Sequence, residues 1–123
     1  MALIRNLADA EHQPVTAAGA EKCRMAVMVG KADGAPHFAV REIVVDPTGV
    51  TPRHSHDYEH EVVVLDGAGT FFFDGEERTL KPGDVVYVPA GHEHQFRADK
   101  ESALRFLCMT PTASNCGESI PGT

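Results

Sequence analysis

The sequence predicts a single all-β domain, because turn signals and strand-like segments alternate along the chain. Turn signals rich in Gly, Pro and Asp recur at short intervals. The segments between them are short and rich in Val, Ile, Phe and Leu, a composition that suits the half-buried surface of a strand. The predicted strands cover residues 25–29, 38–45, 61–65, 70–73, 85–88 and 103–109. Many short strands at this spacing indicate a β-sandwich or a closed β-barrel.

The length of the chain indicates a single domain. It has 123 residues, of which 42% are hydrophobic, so it can form one compact core and is too short for two ordinary domains. We therefore predict one domain over residues 1–123, with one N-terminal strand in the region 15–30. The tail, residues 111–123, is rich in Pro, Gly, Ser and Thr and is expected to be irregular.

Charge and composition argue against several classes of partner. The net charge is -7 without a cluster of Lys and Arg, so we expect no nucleic-acid partner. The longest apolar runs, residues 25–29 and 62–65, fall far short of the roughly 20 residues of a membrane span, and no signal peptide is visible. Cys23, Cys108 and Cys116 are far apart in sequence, which favours a reduced, cytoplasmic protein over a disulfide scaffold.

Four histidines form a candidate metal site. His54 and His56 are two residues apart, so in an extended strand both side chains leave the same face and can bind one ion. His60 comes immediately before a predicted strand, and alternation places Val62 and Val64 on its face. His94 follows the turn Pro-Ala-Gly at residues 89–91. The spacing alone leaves open whether His94 meets the other three.

Two segments around these histidines match motifs of a known family. Residues 49–67 read GVTPRHSHDYEHEVVVLDG and resemble the first cupin motif, G(x)5HxH(x)3-4E(x)6G. Residues 83–94 read GDVVYVPAGHEH and resemble the second, G(x)5PxG(x)2H(x)3N. Two motifs in the correct order make chance agreement improbable. The turn after Gly49 is one residue shorter than in the family pattern, and the closing Asn position is Ala98.

The resemblance extends over roughly residues 38–110 and points to small single-domain bacterial cupins of the cupin 2 type. It implies the cupin double-stranded β-helix, a jelly-roll β-barrel. It also implies one bound divalent transition-metal ion, because the histidine positions of both motifs are present. Imidazole ligands suit Mn, Fe, Ni, Cu, Co and Zn, so the sequence does not distinguish among these metals.

The family's usual Glu ligand has to be sought among Glu59, His60 and Glu61. Both His60 and Glu61 lie at a permitted distance from His56, but only His60 is separated from Gly67 by the six residues of the motif. The resemblance to cupins with all-histidine sites therefore implies four ligands, with Glu61 as the alternative to His60. The predicted metal ligands are His54, His56, His60 and His94.

Other polar residues near the motifs receive more ordinary interpretations. His92 is expected at the rim of the site, and His12 on the surface. Cys108 alternates with Arg105 and so points inward, where a buried Cys commonly serves as a small apolar filler. Arg53 could pair with an anionic substrate at the mouth, but the simpler expectation for Arg53 and Arg41 is a solvated side chain.

The function expected from these features is that of a metal-dependent enzyme acting on a small organic molecule. The all-histidine resemblance favours oxygenase-type, dioxygenase-like oxidation, with isomerase or lyase chemistry as further possibilities. No catalytic acid or base can be assigned. The alternative is a non-catalytic module that binds or senses a small ligand through its metal, because the cupin fold alone does not determine the reaction. The resemblance also implies a homodimer formed through a sheet face.

Overall fold

The chain folds into a curled antiparallel β-sheet of nine strands within residues 2–112, the part of the chain that this computed structural model describes. Two 3-10 turns, Leu7–Asp9 and Lys31–Asp33, lie outside the sheet. No helix in the described part is long and apolar enough to cross a membrane. The strands are β1 Gln13–Pro14, β2 Glu21–Val29, β3 Phe38–Val50, β4 His60–Gly67, β5 Gly69–Phe73, β6 Glu76–Leu80, β7 Val85–Val88, β8 His94–Ala98 and β9 Leu104–Pro111. The predicted all-β class is confirmed.

The order of strands in the sheet is β6-β5-β8-β3-β9-β4-β7, and every pairing is antiparallel. Strand β2 pairs with β3 outside this path, and β1 pairs with β2. Strand β3 therefore contacts β2, β8 and β9. The strands that carry the motif histidines are thus joined to one another through β3 and β9.

The core lies between the inward faces of the curled sheet. Its centre is aromatic: the ring of Phe96 lies 4.9 Å from that of Phe71 and 4.6 Å from that of Phe106. Such a packed core holds the strands rigidly, because protein interiors are as dense as organic crystals. The remaining buried members of this cluster are Cys23, Ile43, Val45, Val62, Val64, Leu80, Val88, Leu104 and Cys108.

The structure corrects the predicted strands in three places. The N-terminal region contains two strands rather than one, since β1 was not predicted. Strands β6 and β8 were not predicted, because Glu76–Leu80 is largely polar and exposed and His94–Ala98 is polar at three of its five positions. Strand β3 also continues to Val50 through the Asp-Pro-Thr-Gly signal that indicated a turn. There the backbone forms an irregularity, with a positive φ of 69° at Thr48 and a register shift against β2. The predicted irregular tail lies outside the described residues from position 113 onward.

The outer face of β3 carries a buried charge network. Glu42 has an exposed fraction of 2%. One of its carboxylate oxygens lies 2.8 Å from His12 Nε2, and the other accepts a hydrogen bond of 2.7 Å from Arg105 Nη1. The sequence predicted that His12 is an ordinary surface residue. In the structure it instead covers the buried carboxylate of Glu42. A buried charge is stabilised when it is paired in this way.

Candidate metal centre

The fold brings the first motif against the second through backbone hydrogen bonds. His54 and His94 form an isolated β-bridge: His54 N donates to His94 O at 3.2 Å, and His94 N donates to His54 O at 2.9 Å. Gly91 N donates to His56 O at 2.7 Å. These bonds fix the loop before β4 against the turn before β8. The question that the sequence spacing left open is thereby answered, because His94 does meet the His54–His56 pair.

Three of the predicted ligands form a compact cluster. One ring nitrogen from each of His54, His56 and His94 lies within 4.8 Å of the others. The ring centroids are 5.0 Å apart for His54 and His56, 5.0 Å for His54 and His94, and 4.8 Å for His56 and His94. Two nitrogens bound to one ion at about 2.1 Å each lie roughly 3 to 4 Å apart. Small rotations of the rings would therefore bring all three onto one metal ion.

Hydrogen bonds to backbone carbonyls determine which nitrogen of two rings is available. A carbonyl oxygen can only accept, so Nδ1 of His56 donates to Tyr58 O at 2.8 Å and Nδ1 of His94 donates to His92 O at 2.9 Å. In a neutral imidazole the lone pair then resides on Nε2. His94 Nε2 is buried and has no hydrogen-bond partner among the described residues. A ring that is oriented by a carbonyl at Nδ1 and has a free lone pair at Nε2 has the features of a metal-binding imidazole, so the residues fit the implied metal.

The ring of His60 adjoins this cluster from inside the barrel. Its side chain is fully buried, on the same face of β4 as Val62 and Val64. Its Nε2 lies 2.8 Å from His56 Nε2, and its Nδ1 lies 3.2 Å from Cys108 Sγ. Two nitrogens at right angles on an ion, each at about 2.1 Å, would lie about 3 Å apart. The position of His60 is therefore compatible with a shared ion.

Glu61, the alternative ligand, has a different environment. It is only half-buried, at the opposite parity of β4, and its side chain forms a hydrogen bond with Glu59. Burial, this hydrogen bond and the charge of Glu59 raise the pKa of Glu61 to about 7. Within residues 2–112, the candidate metal-binding group consists of His54, His56 and His94, and contains neither His60 nor a carboxylate. His60 nevertheless contacts this group through His56.

His92 lies at the rim and supports the turn before β8. Its Nδ1 contacts Asp74 Oδ2, and its ring stacks on Phe73 at 5.2 Å. The other oxygen of Asp74 accepts from Glu93 N at 3.1 Å. The backbone carbonyl of His92 accepts the Nδ1 proton of His94, and this backbone contact orients the His94 ring. His92 is exposed and does not belong to the histidine cluster.

The two arginines near the site, Arg53 and Arg41, differ in their exposure to solvent. Arg53 is exposed, with its guanidinium 3.6 Å from the centroid of the Phe72 ring. Arg41 is fully buried, contrary to the expectation that it is solvated. Its Nη2 donates to Cys108 Sγ at 3.3 Å, and Cys108 is buried as predicted. The sequence contains a signal for this burial, because Arg41 shares strand parity with the apolar Ile43.

Burial keeps the clustered histidines in the neutral form that metal binding requires. It lowers the pKa of His54 to about 4, with smaller contributions from the charges of His94, His56 and Arg41. Burial is also the main cause that lowers the pKa of His56 and of His94. The pKa of His60 falls furthest, because of burial and then repulsion from Arg41. Protons therefore compete weakly with a metal for these nitrogens.

These shifts predict acid sensitivity of the metal-free protein. The unfolded chain binds protons at His54 below about pH 6.5, whereas the folded protein does so only near its pKa of about 4. Between these values the unfolded state binds more protons, so the free energy of unfolding decreases as the pH falls; above about pH 6.5 this effect vanishes. Urea unfolding at several pH values measures the slope of the free energy of unfolding against pH. His54→Gln is expected to flatten it, and an unchanged slope would contradict the assignment.

Comparison with known proteins identifies relatives that share the cupin domain. The family model for the cupin domain matches residues 41–110. An acireductone dioxygenase from Rhodopseudomonas palustris is 33% identical over 122 residues, covering 79% of this chain and 74% of that protein. A 1-methylthio-D-xylulose 5-phosphate methylsulfurylase from Rhodospirillum rubrum is 36% identical over 70 residues, which are 57% of this chain and 45% of that protein. The chain thus spans less than half of the methylsulfurylase.

A solved structure is similar over nearly the whole chain. The polyketide cyclase RemF from Streptomyces resistomycificus superposes with a TM-score of 0.86 and 30% sequence identity, over 91% of this chain and 80% of that one. Because the family model also matches more than half of the sequence, the chain belongs to the cupin family.

Proposed function

We propose that the protein binds one divalent transition-metal ion through His54, His56, His60 and His94 and acts as a metal-dependent enzyme on a small organic molecule. Oxygenase-type oxidation is the reaction class that we favour. One observation carries the proposal: the Nε2 atom of the buried His94 has no partner among residues 2–112, while its Nδ1 is held by a carbonyl. A nitrogen arranged in this way is prepared for a metal ion.

The residues of the site would hold the metal and leave it accessible from one side. His60 and His94 are fully buried, whereas His54 and His56 are half-buried. An incoming molecule would therefore approach over His54 and His56. Tyr58 stacks on the ring of His56 at 3.9 Å, which fixes this ring at the entrance. A metal held by four neutral imidazoles keeps its full charge and supplies Lewis-acid or redox chemistry to a bound substrate.

The oxygenase assignment is supported by the dioxygenase that aligns with most of this chain. The names of the other similar proteins, a cyclase and a methylsulfurylase, describe different reactions, so the fold does not choose among them. The four neutral ligands provide a second reason for the choice. Without a carboxylate the site favours the lower oxidation state of a redox-active metal, which is the state that reacts with oxygen.

Oxygen uptake tests this proposal. The protein is loaded separately with Fe²⁺, Ni²⁺, Mn²⁺ or Cu²⁺ and mixed with small enediols, diketones and hydroxy acids in an oxygen electrode. We expect substrate-dependent uptake with at least one metal, at least about tenfold above that of a His94→Ala control, since loss of one ligand impairs the site. Saturable binding of a molecule without any turnover would instead support the alternative function, a metal-dependent binding or sensing module.

We propose that the protein forms a homodimer through the edge of its sheet. Strand β7 lies at one end of the strand order, and its side chains Val85 and Tyr87 are 73% and 61% exposed. A groove of about 430 Å³ adjoins this edge and is partly lined by both residues. An exposed apolar edge strand tends to pair with another strand, and a second copy of the chain supplies the same edge.

Light scattering of the wild-type protein is expected to give the mass of a dimer, and that of the Tyr87→Lys variant is expected to give the mass of a monomer. A monomeric wild type would contradict the proposal.

We also propose a cytoplasmic location. Cys23 and Cys108 are both buried and form no disulfide bond within residues 2–112, and burial raises the pKa of the Cys23 thiol to about 12. A protonated, buried thiol is inert and fits a reducing compartment. Cell fractionation of the native host checks this location, and recovery of the protein outside the cytoplasm would contradict it.

A further inference from the structure

The buried side chain of Arg41 has an unusual set of partners. Its exposed fraction is 0%. Nη2 donates to Cys108 Sγ at 3.3 Å and Nη1 to Met25 Sδ at 3.8 Å, and Nε has no partner among the described residues. Sulfur is a weak acceptor. A guanidinium that is buried without a carboxylate carries a large desolvation cost, so its presence calls for an explanation.

Other positions of β3 show that this fold can pair its buried charges. The adjacent residue Glu42, on the outer face, is matched by both His12 and Arg105. On the inner face, Arg41 is followed at the same parity by Ile43 and then by further apolar residues. No carboxylate in residues 2–112 forms an ion pair with Arg41. Packing therefore does not require a cation at this position.

Arg41 lies at the inner end of the candidate metal centre. It faces Cys108 across the β3–β9 ladder, and Cys108 Sγ lies 3.2 Å from Nδ1 of His60. A single thiol thus separates the guanidinium from the ring of His60. A fixed positive charge therefore lies next to the fully buried side of the candidate metal centre.

We propose that Arg41 is an anion-binding residue of the metal centre and that the ligand of this site is a small organic acid. This inference rests on the proposed function and deepens it by naming the substrate class. The ligand's carboxylate pairs with the guanidinium while another of its oxygens faces the histidines. The planar guanidinium matches a carboxylate in geometry as well as in charge. Met25 is half-buried and its thioether is flexible. Its sulfur can therefore move away from Arg41 Nη1 when the ligand's carboxylate binds there.

A comparison of charged and neutral ligands tests the proposal. Zn²⁺-loaded protein, with its metal content measured first, is titrated calorimetrically with pyruvate, glycolate and acetate and with the corresponding amides. We expect at least one acid to bind at least about tenfold more tightly than its amide, as a charge-assisted hydrogen bond predicts. Arg41→Met should remove this preference and keep the zinc content. Arg53→Met, which changes an exposed arginine, is the matched control and should retain it.

Thermal unfolding of the metal-free protein separates this role from a structural one. Arg41→Met removes a buried charge without leaving a carboxylate unpaired, so we expect the Tm to rise by about 2 to 5 °C. A fall in Tm would show that the fold needs Arg41 and would overturn the proposal. Failure of any acid to bind, or equal binding by Arg41→Met, would also overturn it.

The same assay distinguishes failure of this inference from failure of the proposed function. If the protein takes up no zinc, the metal-dependent function fails. The acids are then tested for their effect on the Tm of the metal-free protein, which they should raise in the wild type and in Arg53→Met but not in Arg41→Met. If zinc is bound but the acids are not preferred over their amides, only the role of Arg41 fails.

Discussion

His94→Ala is expected to lower the metal affinity of the protein by more than about 100-fold. Loss of a residue that merely orients a ligand already costs about 10- to 100-fold, and His94 offers a buried nitrogen that has no other partner in the described part of the chain. Metal content after dialysis, measured by mass spectrometry on protein without a histidine tag, gives the result. Circular dichroism of the same sample shows whether the variant has folded.

The control for this prediction is His92→Ala. The exposed side chain of His92 contacts Asp74 rather than the cluster. The backbone carbonyl that accepts the Nδ1 proton of His94 is kept in this variant, so most of the metal should remain bound. The same measurement decides between the two candidates for the fourth ligand: His60→Ala should lose metal and Glu61→Ala should keep it. Full occupancy in His60→Ala together with loss in Glu61→Ala would show that the ligand choice is wrong.

The spacing of His54 and His56 in the sequence was enough to predict that these two side chains lie close together. The two-residue spacing of His54 and His56 requires only the geometry of an extended segment, and the structure places their rings 5.0 Å apart. The meeting with His94 depends on the bridge between His54 and His94, which is a tertiary contact. Spacing carries no information about such a contact, so only the family motifs pointed to it.

Two of the strands that the sequence did not predict, β6 and β8, have a physical reason in common. Strand β6 is stabilised by its ladder with β5, although four of its five residues are exposed. Strand β8 pairs with β5 along its whole length and packs Phe96 into the core. Backbone pairing with an apolar neighbour can impose a strand on a polar segment, because strand propensity depends strongly on context. A reading of hydrophobic composition alone misses such strands.

The burial of Arg41 was not predicted for a different reason. Its parity with Ile43 was visible in the sequence, but the rule that arginines are solvated was given more weight. The rule fails where a charge serves a ligand rather than the fold, and such exceptions concentrate at functional sites. An arginine at an inward position of a central strand is therefore more informative about function than one in a loop such as Arg53.

Gly67 closes the first motif, and its backbone explains why glycine is required there. It ends β4 with a φ of +89°, and a Cβ at this position would lie 1.7 Å from the carbonyl oxygen of Ala103. Neighbouring backbone bonds hold that carbonyl in place, since Ala68 N donates to it at 3.2 Å. A side chain at Gly67 would thus force β4 and β9 apart. These strands carry His60 and Cys108, so the strain would act directly on the inner side of the site.

Gly67→Ala is expected to lower the free energy of unfolding by about 2 to 5 kcal/mol, because a positive φ costs about 1 to 2 kcal/mol for a residue with a Cβ and a forced overlap adds about 1 to 3 kcal/mol. Gly75→Ala is the matched control: its φ is +87°, but a Cβ there would meet no atom within 4 Å. It should cost about 1 to 2 kcal/mol, since only the backbone strain remains. Urea unfolding of both variants measures the difference. Equal losses would mean that β9 moves aside at little cost, and the motif glycine would then be required only for its φ.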